Sequence, residues 1–179
     1  EELPDDVAEF GEAKQDDQVE VDLARVGDGL QFGFGPECCF KPGSAVVNSQ
    51  LAQRASELGE VFSHYPYTIL VEGFTDDAFR PTPTYPDAES LALARAAAVA
   101  DIMVGTTALE PLKVTIAGLG SERPLGDNET VQGRQLNRRV ELRVATLEAS
   151  RATFINSERQ RIEAEKLEAA KLKFPGVSD

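Results

Sequence analysis

The chain has no tryptophan, one methionine, one histidine (His64) and two cysteines, Cys38 and Cys39, which are neighbours. Each scarcity removes a class of function. Adjacent cysteines do not easily close a strain-free disulfide, so a disulfide-stapled scaffold is excluded and both are expected to serve as small apolar residues at a strand end. Two neighbouring thiols and a lone imidazole are too few ligands for a metal centre, so no metal and no other cofactor is expected. His64 falls near a helix end, where a cation suits the dipole. No apolar run approaches the ~20 residues that a spanning helix needs. No basic segment followed by an apolar one opens the chain, and a start at Glu1 fits a processed or trimmed chain. Positive charge is also short, with 18 Lys and Arg against 31 Asp and Glu and a net charge of −13. Residues 1–20 carry nine of the acids and only Lys14, a net of −8. Residues 21–147 carry −5, and residues 148–179 balance. This argues against nucleic acid, which is held by basic patches, and against an anionic membrane surface.

What is present organises into three parts. Residues 1–18 are acidic and without period, which reads as a linker. Residues 19–147 read as one folded domain, and 148–179 as a charged C-terminal helix, running from about Ala149 to Lys173 and ended by Pro175-Gly176. In the domain, Val19, Val21 and Leu23 alternate, Gly27-Asp28-Gly29 makes a turn, and Leu30, Phe32 and Phe34 alternate, as in a hairpin. Leu51, Ala55, Leu58 and Phe62 recur at helical spacing, predicting a helix from Ser49, as its cap, to about His64. Thr68 to Glu72 reads as a strand. Phe79 to Pro86, with three prolines, reads as a loop. A second helix starts at Ser90, with Leu91, Ala94, Ala98 and Ile102 marking its face. Val114–Ala117 and Val140–Val144 read as strands, with an irregular stretch from Gly118 to Arg139 between them. The order β–β–α–β–α–β–β predicts an α+β sandwich: a mixed sheet with two helices on one face.

The chemistry-bearing residues cluster after the apolar strand. Thr75, Asp76 and Asp77 follow Ile69-Leu70-Val71 on a loop that can present a carboxylate. Arg95 is an isolated cation among small residues. By themselves Asp76 and Arg95 fit either a plain surface ion pair, worth about 0–1 kcal/mol, or the two sides of a groove gripping a zwitterion, ammonium on Asp and carboxylate on Arg. Two carboxylates invite a catalytic reading, but no histidine cluster or glycine-flanked serine supports an enzyme. Gly118-Leu119-Gly120 resembles part of a dinucleotide fingerprint, yet Pro124 stands where a helix should follow, so nucleotide binding is rejected.

Val71-Glu-Gly-Phe-Thr-Asp76, Ser90-Leu-Ala-Leu-Ala-Arg95, Gly118-Leu-Gly120 and Asn128 through Asn137-Arg-Arg-Val-Glu141, in that order, resemble the peptidoglycan-binding domain of the OmpA family over about Phe40 to Val144. Phe40-Lys-Pro-Gly-Ser-Ala45 resembles that family's first strand-to-helix segment. The resemblance implies a non-enzymatic binding module of the bacterial envelope. It makes Asp76 and Arg95 the pair that binds diaminopimelate of the stem peptide, with Thr75, Asp77, Phe40, Leu91 and Arg138 around them. It puts Gly118 and Gly120 in the turn after a central strand. Asn128, Thr130 and Arg134 are read as shaping the loop. Three positions depart from the pattern. Phe74 replaces a histidine, placing an aromatic ring beside the groove, Ala92 replaces a serine, and Ala88 stands near a usual asparagine.

Within the family, the Thr-Asp-Asp run and the long proline-containing loop ending in Tyr85-Pro86 look like the MotB/PomB group of flagellar stator proteins. That resemblance implies a periplasmic domain, a homodimer, and a membrane channel partner reached through an N-terminal transmembrane helix upstream. The alternative is an OmpA-like structural or interaction module of another envelope system, type VI secretion or an outer-membrane lipoprotein, with weakened or lost wall binding. Phe154, Ile155, Ile162 and Leu167 do not sustain a heptad, so dimerisation is expected from the folded domain and its hairpin.

Overall fold

A computed structural model describes residues 29–146, the backbone of 21–26 and a helical stretch at 159–164. The expected acidic linker, the hairpin turn at 27–28 and most of the expected C-terminal helix lie outside the described residues. The stretch at 159–164 is exposed on all sides.

Strands β1 (Val21–Val26) and β2 (Gly29–Phe34) form the expected hairpin, followed by helix α1 (Ser49–Ser63), strand β3 (Tyr67–Gly73), helix α2 (Ala88–Thr106), strand β4 (Val114–Gly118), helix α3 (Val131–Asn137) and strand β5 (Val140–Thr146). The sheet has five strands in the order β1-β2-β5-β3-β4. Only β3 and β4 run parallel; the other neighbours are antiparallel. The fold is thus the α+β arrangement expected, a mixed sheet with α1 and α2 on one face. Alternation sorts the faces: Leu30, Phe32, Ile69, Val71, Leu142 and Val144 point under the helices into the core, while Gln31, Glu72, Glu141 and Arg143 point to the other side.

Leu51, Ala55, Leu58 and Phe62 are all buried, as their spacing predicts. The cap of α1 is Asn48 rather than Ser49: the Asn48 side chain accepts from the Leu51 N–H at 2.9 Å, one residue earlier than expected. Likewise α2 begins at Ala88, not Ser90, because Asp87 caps it by accepting from the Ser90 N–H at 2.7 Å. Its buried face is Leu91, Ala92, Arg95, Ala96, Val99, Ala100 and Met103, rotated from the stripe of Leu91, Ala94, Ala98 and Ile102. A helix this rich in alanine is apolar nearly all round, so period alone does not choose its face. Close approach to the sheet does: a Cβ on Gly73 would lie 1.9 Å from the Ala92 carbonyl oxygen, and one on Gly118 2.4 Å from that of Glu89.

Two further corrections concern the region after β4. β4 is an edge strand, so Gly118 and Gly120 turn the chain at the sheet margin rather than beside a central strand. The stretch from Gly118 to Arg139 is not irregular throughout, since it contains α3, capped by Thr130, whose hydroxyl accepts from the Gly133 N–H at 2.9 Å. Cys38 ends a 3-10 turn, Pro36–Cys38, instead of a strand, and its side chain joins the core. Burial pushes its thiol up to about 12 and that of Cys39 up to about 11.

Candidate functional site

The loop after β3, the segment before α1, the face of α2 and the start of β5 meet at one end of the sheet. Gly73 N–H···O pairing ends there, and the chain stays anchored: the Phe74 N–H donates to the Arg139 carbonyl at 2.9 Å and the Thr75 N–H to the Gly120 carbonyl at 2.7 Å. Asp76 is thereby carried to Arg138, whose Nη1 donates to Asp76 Oδ2 at 2.7 Å. Both side chains are nearly buried, 8% and 11% exposed. Arg138 Nε donates to the Phe40 carbonyl at 2.7 Å, and the Phe40 N–H donates to the Arg138 carbonyl at 2.8 Å. The arginine is therefore fixed at three points by the segment before α1 and by Asp76.

Asp76 and Arg95 are expected to flank one groove at the surface; Arg95 instead lies inside, and the two form no ion pair with each other. Arg95 is fully enclosed. Its Nε donates to the Ser44 carbonyl at 2.8 Å, Nη1 to that of Phe74 at 2.7 Å and Nη2 to that of Lys41 at 3.1 Å. The guanidinium carbon stands 5.0 Å from the centre of the Phe40 ring. Burial lowers the Arg95 pKa to about 10, against the pull of the nearby Asp76 carboxylate, so it stays a cation at neutral pH. The physical reason for the difference is the rotation of α2, which turns position 95 inward, where only main-chain oxygens are in reach.

The remaining expected site residues divide. Phe40 is buried beneath Arg95, and its carbonyl holds Arg138. Thr75 is buried, and its hydroxyl has no hydrogen-bond partner among the described residues. Asp77 is exposed, with its N–H directed at Asn128 Oδ1 at 3.4 Å. Leu91 lies one helical turn before Arg95 with its side chain fully buried. Phe74 does not line the groove. It follows β3 in the parity of Glu72, on the side of the sheet away from the helices, and its buried ring lies 3.9 Å from the Arg139 guanidinium and 5.0 Å from that of Arg123. Arg123, in the left-handed region at φ 50, also reaches Glu72 at 3.0 Å.

Sequence reasoning passed over two supports. Asn137 is buried; its Oδ1 accepts from the Leu125 and Gly126 N–H groups, and its Nδ2 donates to the Gly126 carbonyl and Asn128 Oδ1, fixing the loop that faces Asp77. Asn128, Thr130 and Arg134 do shape that loop, Arg134 Nη1 donating to the Asn128 carbonyl at 2.6 Å. The segment 41–44 supplies carbonyls to Arg95, for which Gly43 at φ 65 was the available signal.

Comparison with known proteins finds relatives of this fold. The chain is 40% identical over 88 residues to outer membrane porin F of Pseudomonas aeruginosa, a match that takes in 49% of this chain and 24% of that protein. The chain spans about a quarter to a third of the length of the first curated relatives it matches. Among solved structures, it is similar to the cell wall anchor of the type VI secretion system of Pseudomonas aeruginosa, with a TM-score of 0.62 and 25% identity over 79% of this chain and 92% of that one. The periplasmic domain of Helicobacter pylori MotB shares the fold, with a TM-score of 0.63 and 20% identity over 77% of this chain and 88% of that one. Residues 39–138 match the OmpA family profile, a stretch that includes Phe40, Asp76, Arg95 and Arg138, so the chain belongs to the OmpA family.

Proposed function

We propose that this domain binds peptidoglycan noncovalently, through the diaminopimelate of the stem peptide, and so anchors an envelope complex to the cell wall in the periplasm. The observation that carries the reading is the gathering of Asp76, Arg138 and Arg95 at one end of the sheet. This sets a carboxylate and a guanidinium side by side in a chain that is acidic overall. Such a site offers a donor for a carboxylate and an acceptor for an ammonium. Family membership and the likeness to a cell wall anchor support the same ligand. The role is binding, with no chemistry of its own.

Within that role we assign the domain to the B-type component of a flagellar stator, working as a homodimer and joined to a membrane channel partner by a transmembrane helix upstream. The shared fold of the MotB periplasmic domain supports this. The second reading is an anchor of another envelope system, supported by the greater identity to the secretion-system protein. A gene that encodes a transmembrane helix with an embedded Asp upstream of this domain selects the stator, and a lipidated cysteine after a signal peptide selects a lipoprotein.

Co-sedimentation with purified diaminopimelate-type peptidoglycan tests the ligand. The parent chain pellets with the wall, and Asp76→Asn stays in solution while keeping its far-ultraviolet circular dichroism. A parent that remains in the supernatant, or an Asp76→Asn variant that pellets equally, removes the proposal.

A further inference from the structure

We propose that the free edge of β4, together with the flank of α2 above it, is where a second copy of this chain docks, strand against strand. This goes beyond the homodimer assigned above by naming the surface that makes it, and it moves that surface from the hairpin to the opposite edge of the sheet.

Among the described residues β4 pairs with β3 on one side and with no strand on the other. Parity identifies its free backbone groups. The Leu119 N–H donates to the Gly73 carbonyl at 3.0 Å, and alternate residues of a strand direct their backbone groups to opposite sides. Thr115 and Ala117 therefore bond toward β3, while Val114, Ile116 and Gly118 turn theirs to the free edge. The Val114 N–H is already taken by the Pro111 carbonyl. An antiparallel copy related by a two-fold axis at Ile116 matches what is left. Ile116 of each copy exchanges N–H and C=O with Ile116 of the other, and the Gly118 N–H of each donates to the Val114 carbonyl of the other. The engaged Val114 N–H is not needed.

The side chains suit the same neighbour. Edge strands are ordinarily guarded by lysine, proline or a bulge. β4 reads Val-Thr-Ile-Ala-Gly and carries no charge and no proline, whereas β1 at the other edge carries Asp22 and Arg25. Ile116 is aligned with Val71, so it lies on the helix side of the sheet, and it is 41% exposed. Leu93 of α2, 42% exposed, stands over Gly118, where a Cβ would lie 2.5 Å from its nitrogen. Ala97, Ala100 and Val104 continue that flank at helical spacing. A net charge of −13 drives copies apart over most of the surface, and this uncharged margin is where they can meet. The contacts of Gly73 with Ala92 and of Gly118 with Glu89 lay α2 over both β3 and β4. With strands about 4.8 Å apart, two-fold pairing at β4 then sets the two α2 axes about 10 Å apart, at the packing distance of helices with small facing residues. A lone extended peptide would satisfy the strand edge but leave Leu93 and Val104 uncovered. A second copy covers both.

The test is sedimentation equilibrium on the full chain without peptidoglycan. The parent is a dimer, and Ile116→Lys raises the dimer dissociation constant at least about tenfold while keeping the parent circular dichroism. Leu93→Lys, on the helix, does the same and covers the case in which the strand variant does not fold. Ile116→Cys supplies the positive arm. Residues exchanging both bonds across an antiparallel pair have Cα atoms about 5.5 Å apart, within reach of a disulfide, so this variant forms a cross-linked dimer on oxidation and the parent does not. A monomeric parent overturns both the homodimer and this surface. A dimer that survives both lysine variants and gives no cross-link at position 116 overturns the surface alone. Failure to pellet with the wall touches neither, since peptidoglycan takes no part in the measurement.

Discussion

Reversing the charge at Arg95 separates a brace from a surface ligand. In Arg95→Glu, three donors disappear from the carbonyls of Ser44, Phe74 and Lys41. Hydrogen bonds from a charged donor are worth about 1.5–3 kcal/mol each, so their loss removes roughly 5 kcal/mol even at the lower end. The Phe74 carbonyl is enclosed and finds no water in exchange, whereas those of Lys41 and Ser44 lie on a segment that solvent reaches in part. The glutamate then sits among oxygens with no donor, and it must take up a proton or carry an unpaired buried charge, which adds further cost. No longer burying a cation does not offset this, because the replacement buries a charge of the wrong sign. Against a total stability of about 5–15 kcal/mol for a domain, the variant is mostly unfolded or nearly so. Thermal unfolding followed by circular dichroism should show the midpoint lowered by about 15 °C or more, at roughly 3–4 °C per kcal/mol for a domain of this size. A variant that melts within about 5 °C of the parent would show that position 95 swings freely to solvent, and the enclosed clasp would be wrong.

Gly73→Ala places a methyl 1.9 Å from the Ala92 carbonyl oxygen, so α2 has to lift from β3; the urea midpoint should fall by the equivalent of about 1–3 kcal/mol, and an unchanged midpoint contradicts the close approach. Burial holds the Cys38 thiol at about 12 and the Cys39 thiol at about 11, and only the thiolate reacts. At about pH 8 the folded chain should therefore label far more slowly with a disulfide reagent than the urea-unfolded chain, and the folded-state rate should keep rising with pH up to about 11; equal rates folded and unfolded contradict this. Thr130→Ala removes the cap of α3 and should cost about 1 kcal/mol, with faster amide exchange at Gly133; exchange as slow as in the parent would show that the loop, not the cap, holds the helix.

Much of this protein can be read without its tertiary structure, where local physics and final packing agree. The alternation of β3 puts Ile69 and Val71 inside and Glu72 outside, as a two-residue period requires, and the α1 stripe is fully buried because its polar residues leave only one face to bury. The ordered motifs from Val71 to Glu141 were enough to point to the family that the profile later matched. What the sequence left open was decided by contacts between distant segments. The face of α2 was ambiguous because alanine surrounds it; the approach of Gly73 and Gly118 chose the face and sent Arg95 inward. Phe74, next to the acidic loop in sequence, lies beneath Arg139 and Arg123 because strand parity carries it through the sheet to the far side. Arg138 and Arg139 are adjacent in the chain and opposite in role: Arg139 reaches Glu141 two residues on, a partner local spacing allows, while Arg138 reaches Asp76, 62 residues away. That pairing exists only because β3 and β5 are neighbours in the sheet, with Gly73 aligned to Val140, a register set by the burial of both strands together and by neither one alone.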